Sequence, residues 1–136
     1  MTTVSVIPTM RYKNAPAAIE FLVSAFGFKE HLLVADDEGG IAHAQLLCPI
    51  GNGMIMLGTA RNDEWSRFVQ PPGKGKLNTH GIYMIVKNVD AHCEQARLAG
   101  AEIIEEPVDR EYGGRGYGCT DIEGHVWSFG DYDPLA

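Results

Sequence analysis

His43 and Gln45 alternate with Ala42, Ala44 and Leu46, so on an extended strand the imidazole and the amide share one face. A histidine beside an amide can orient a ligand or move a proton near neutral pH. On a half-exposed sheet the same pair is simply solvated. The same period of two puts Thr9 on a face with Arg11, Met54 with Met56, Tyr83 with Gly81, and Ser128 with Val126. Arg11 can take a carboxylate or phosphonate, or form an internal ion pair with one of the chain's acids. Tyr112, Arg115 and Tyr117 lie in and after the bend Gly113-Gly-Arg-Gly-Tyr-Gly118. Its glycines suit a tight turn or bulge, and the rings and guanidinium displayed there can stack on or clamp a ligand. It is not a phosphate loop, because a strand follows where a helix N-terminus is required.

Other chemistries are excluded. Gly73-Lys-Gly-Lys76 lacks the Walker spacing and any following helix, and no GxSxG or HExxH run is present. Cys48, Cys93 and Cys119 are odd in number, widely spaced and free of any CxxC pair, which reads as reduced, mostly buried thiols. The start of the chain lacks a basic region followed by an apolar one, and no 18-residue apolar run occurs, so a cytoplasmic location is expected. Eleven Lys and Arg against eighteen Asp and Glu give a net charge of −7, with no basic cluster. That balance speaks against nucleic acid and anionic membranes as partners and tilts toward a cationic or neutral one.

The elements that must position these residues come in two matching sets. A shift of the sequence along itself superimposes Met10 on Met84, Lys13 on Lys87, Asn14 on Asn88, Ala17 on Ala91, Glu20 on Glu94 and Ala25 on Ala99. The first copy predicts a strand over 4–12 and a helix capped by Asn14 and stopped by Gly27. Strands over 29–35, 40–48 and 53–58 follow, separated by turn-rich segments. The second predicts a strand over 81–86, a helix over 91–99 between Asn88 and Gly100, and strands over 102–108, 114–120 and 125–132. His125, Trp127 and Phe129 take the face opposite Ser128 and are expected to pack under the second helix.

Each copy is thus βαβββ, about 4–59 and 79–132, within a single domain of 136 residues joined by a polar connection over 60–78. Neither copy is long enough to bury a sizeable core alone, so the two share a core or pair with another chain. Trp65 and Phe68, in the connection, either cover a core edge or form a lid.

A duplicated unit of this kind resembles the vicinal oxygen chelate superfamily, which includes glyoxalase I, extradiol dioxygenases, fosfomycin-resistance enzymes and bleomycin-binding proteins. The similarity is carried by Val86-Lys-Asn-Val-Asp-Ala, Ala99-Gly-Ala, Tyr112-Gly-Gly-Arg and Asp121-Ile-Glu-Gly-His-Val-Trp. It implies an α+β fold in which two mixed sheets curl into a U-shaped cleft. It also implies, in catalytic members, one divalent metal held by His or Gln and Glu from the first and last strand of each unit. Carried over by motif, those four positions are Ile7, Met56, Gly81 and Ser128.

A side chain set of that kind cannot hold a hard or borderline cation, so no metal and no other cofactor is expected. His80, one residue from Gly81, is the alternative, since a bulge could turn it inward. The resemblance makes the cleft a ligand site lined by Thr9, Arg11, His43, Gln45, Met54, Met56, Tyr83, Tyr112, Arg115, Tyr117 and Ser128. The leading expectation is a homodimeric small-molecule-binding protein without a catalytic metal, its acidity suited to a cationic, partly aromatic compound. Two alternatives stand: an enzyme of the lyase, isomerase or dioxygenase type using His43, Tyr and Arg groups or a displaced metal at His80, and a module with no ligand.

Overall fold

The computed structural model describes residues 3–136, which divide between Pro71 and Pro72 into two compact units. The first contains β1 (Thr9–Tyr12), α1 (Ala15–Phe26), β2 (Lys29–Ala35), β3 (Ile41–Leu47) and β4 (Met54–Thr59). The second contains β5 (Ile82–Ile85), α2 (Val89–Ala99), β6 (Glu102–Asp109), β7 (Arg115–Thr120) and β8 (Val126–Gly130). The strand orders are β1-β4-β3-β2 and β5-β8-β7-β6, so each unit is βαβββ with an open, mixed sheet. The α+β class and the duplicated architecture read from the sequence are those of the molecule.

Duplication extends to register and caps. β1 runs parallel to β4 with Thr9 opposite Met56, and β5 runs parallel to β8 with Tyr83 opposite Ser128. The side chain of Asn14 accepts from the Ala17 amide at 3.2 Å, and Asn88 accepts from Ala91 at the same distance. Each helix ends on a glycine in the left-handed region, Gly27 at φ 83° and Gly100 at φ 113°.

The edges differ from the sequence expectation. β1 starts at Thr9 rather than residue 4, because Pro8 has no N–H to continue a ladder and its carbonyl accepts the last bond, from Met56 N at 3.0 Å. Ile7 therefore lies outside the strand, and Gly81 likewise lies just before β5. α2 begins at Val89, directly after its cap, and β8 spans five residues rather than eight. The connection holds a 3₁₀ turn, Trp65–Arg67.

In the first unit Tyr12, Leu22, Phe26, Phe28, Ala44 and Leu46 are fully or almost fully buried. In the second, the rings of Tyr117, Phe129 and Trp127 form a stacked series, with centroids 5.2 and 6.1 Å apart. Trp127 is wholly buried, as alternation on β8 requires. The edge strand β2 is exposed along its length and shows Leu32, Leu33 and Val34 to solvent. Cys93 and Cys119 are buried free thiols and Cys48 is half-buried. Burial pushes the Cys119 thiol up to about 12, which keeps it protonated and unreactive.

Candidate functional site

The first unit carries a cavity of about 180 Å³. β1 supplies Thr9, Met10 and Arg11; β4 supplies Met56, Leu57 and Gly58; β3 supplies Ala42 and His43; Arg61 and Trp65 close it. Gly58 suits this place, since a Cβ there would stand a tight 3.0 Å from the Ala42 carbonyl oxygen. Four residues nominated from the sequence, Thr9, Arg11, His43 and Met56, meet here.

Arg11 resolves to an internal ion pair. Its buried guanidinium donates to Ser66 Oγ at 2.9 Å and holds Asp63 with both terminal nitrogens, at 3.4 and 3.2 Å. Arg61 Nε donates to the same carboxylate at 3.0 Å. The Ser66 amide, above all, and the Arg11 guanidinium hold the Asp63 carboxyl well below the usual carboxylate range. This knot fixes the 3₁₀ turn that carries Trp65. Asp63, Ser66 and Arg61 escaped the sequence expectation, although Asp63-x-x-Ser66 is legible as a helix-start signal.

His43 Nε2 lies 3.0 Å from Gln45 Oε1, and Gln45 Nε2 lies 3.1 Å from Nδ1 of His31. The alternation argument therefore placed His43 and Gln45 together correctly, and β2 adds His31. Gln45 is not among the lining residues and reaches the cavity only by its hydrogen bond to His43. Met54 stands opposite Leu47 at the start of β4 and is not among the lining residues.

The second unit has a smaller hollow of about 40 Å³ that brings together Tyr83, Ser128, Tyr112 and Arg115 with Arg110 and Tyr132. The Tyr83 hydroxyl donates to the Tyr132 carbonyl at 2.8 Å, and the Tyr112 and Tyr132 rings meet edge to face. Burial raises the Tyr83 phenol, so it stays neutral. Arg115 is held by Asp90 at 3.0 Å and Asp109 at 3.1 Å.

Tyr117 departs from the expectation. It is fully buried, with its hydroxyl 2.6 Å from His92 Nδ1 on α2, and belongs to the core rather than to a rim. The reason is the face it takes: from within β7 the ring packs against Phe129 and reaches His92 of α2. Phe68 is 76% exposed and covers no core edge, whereas Trp65, 50% exposed, lies against the cavity.

The family metal does not fit the residues present. Ile7 and Gly81 offer no side-chain donor, Met56 a thioether and Ser128 a hydroxyl, where a divalent cation needs imidazole or carboxylate. His80 is exposed, before β5, with Thr79 Oγ1 3.4 Å from its Nδ1. Among the described residues no three His, Cys, Asp or Glu side chains are grouped to hold a metal ion.

The family model described as Glyoxalase/Bleomycin resistance protein/Dioxygenase superfamily matches residues 6–129. An uncharacterized protein of Mycobacterium bovis is 30% identical over 127 residues, covering 90% of this chain and 80% of the relative. Among solved structures, TioX from Micromonospora sp. ML1 superimposes with a TM-score of 0.71 at 28% identity, covering 94% of this chain and 98% of its own. The fosfomycin resistance protein FosX from Listeria monocytogenes, solved with Mn(II) and sulfate, gives 0.67 at 16% identity, covering 99% and 97%; that likeness is one of fold.

Proposed function

The chain belongs to the glyoxalase/bleomycin resistance protein/dioxygenase superfamily, and from that premise we propose that it binds a small molecule without the metal used by catalytic members. The observation that carries the reading is the cavity of the first unit, where Thr9, Arg11, His43 and Met56 converge. A concave, largely apolar wall with a few placed polar groups is the usual build of a small-molecule site. The donor chemistry at Ile7, Met56, Gly81 and Ser128 supports the metal-free part.

The test is metal retention. The protein, purified without an affinity tag, is offered Ni, Co, Zn, Mn and Fe(II) and then desalted. Retention well below one equivalent is expected for every metal. Near-stoichiometric retention of any one overturns the reading and moves attention to His80.

A second reading, an enzyme acting by proton transfer, is favoured by the chain from His31 through Gln45 to His43. The amide bridges the two imidazoles, Gln45 Oε1 accepting from His43 Nε2 and Gln45 Nε2 donating to His31 Nδ1, which orients the His43 ring at the cavity. A His43→Ala variant that keeps binding but loses turnover would establish it. The second hollow, with Tyr83, Tyr112, Arg115 and Ser128, is a candidate for further ligand contacts. The exposed apolar residues of β2 support a homodimer, and the three free thiols suit a cytoplasmic location.

A further inference from the structure

We infer that the cavity of the first unit selects a planar aromatic acid, its carboxylate met by Arg61 and its ring laid against Trp65. This deepens the proposed function and rests on it. It also runs against the whole-chain charge. The chain carries −7, yet the cavity lining holds Arg11, Arg61 and His43 and no Asp or Glu. The acid that both guanidiniums touch, Asp63, answers two cations with one carboxylate. The wall is therefore cationic, and a cationic ligand entering it would be desolvated against like charge.

The two arginines divide the work. Arg11 is buried and held by Asp63, Ser66 and the Thr59 carbonyl, so it is a positioning residue that fixes the turn. Arg61 is 41% exposed at its side chain. It spends one N–H on Asp63, one on the Thr59 carbonyl at 2.9 Å and one on the Ala42 carbonyl at 3.4 Å. A guanidinium has five N–H groups, so two remain for acceptor atoms of a ligand. Three anchors on the protein also mean that Arg61 is already ordered before the ligand arrives, which lowers the entropy lost on binding.

The rest of the wall calls for a ring. Trp65 is half exposed and lines the same cavity, held there by the Arg11–Ser66–Asp63 knot. Met56 supplies thioether surface from β4. An indole and a thioether favour a flat, polarisable group over an aliphatic one. Size sets the scale: about 180 Å³ compares with the ~150 Å³ of an apolar cavity that accepts benzene, so one ring with a carboxylate fills it.

The experiment is an amide-resolved NMR titration of the full chain with benzoate, benzyl alcohol and benzylamine, three probes that differ mainly in charge. Benzoate is expected to shift the Arg61 amide and the Trp65 indole N–H and to saturate at least ten-fold below benzylamine. Arg61→Gln is expected to weaken benzoate ten-fold or more, with Arg61→Lys recovering part of the loss. Benzylamine or benzyl alcohol saturating as readily as benzoate, or Arg61→Gln without effect, overturns the acid preference while leaving a cavity that binds. No probe shifting any lining residue overturns the cavity as a ligand site, and the proposed function with it.

Discussion

Asp63 is the residue on which the first unit's cavity depends, because it accepts from the Ser66 amide, from both ends of Arg11 and from Arg61 Nε. Folding holds its carboxyl below the ordinary aspartate value near 4. The sign follows: this stabilisation is complete above the unfolded pKa and is lost as pH falls through the folded one. Asp63→Asn is therefore expected to lower the thermal midpoint at pH 7, and the gap to the unaltered protein should narrow steadily as pH falls below about 5. A pH series of melting curves decides it; a gap that stays constant refutes the role of charge. Arg11 shows why such a knot is hard to read in advance. Alternation placed its side chain with Thr9, but its partner lies in an aperiodic connection, where no spacing rule reaches. His43 and Gln45 were legible because both sit on one regular strand.

At the scale of elements, caps and turns carried the legible information. Asn14, Gly27, Asn88 and Gly100 mark both helices by local chemistry alone. The turn between β7 and β8 is the tightest case. Asp121 accepts from the Glu123 and His125 amides and from Trp127 Nε1, and Gly124 sits at φ 92°. A Cβ on Gly124 would collide with the Gly73 carbonyl, whereas one on Gly39, at φ 81°, would meet nothing within 4 Å. Gly39→Ala should thus cost only the left-handed penalty, about 1 kcal/mol, and Gly124→Ala upward of ~2 kcal/mol. Urea unfolding measures both, and equal costs would show that the close approach to Gly73 is not restrictive. Strand ends were less legible: Pro8 cut β1 short, and Tyr117 was misplaced because Gly116 and Gly118 leave the other face of β7 without a side-chain pattern.

At the scale of the whole molecule, fold class followed from the repeated order of elements, which survives even where few residues match. The charge of the first cavity's lining did not follow from composition, because −7 is a sum over the chain and that cavity is lined by arginines. Association belongs to this scale too. β2 exposes Leu32, Leu33 and Val34 on an unpaired edge, a template for pairing with another strand. Light scattering after size exclusion is expected to return about twice the chain mass, and Leu33→Lys with Val34→Lys to return the monomer; a monomer from the unaltered protein removes the dimer. Finally, the chain's two tryptophans fall one to a unit and in opposite surroundings, Trp65 half exposed and Trp127 sealed against Asp121. The protein thereby carries two built-in fluorophores, one open to iodide or acrylamide and one shielded. Emission from the accessible indole reports on the first cavity, while the shielded one serves as an internal reference for the fold of the second unit.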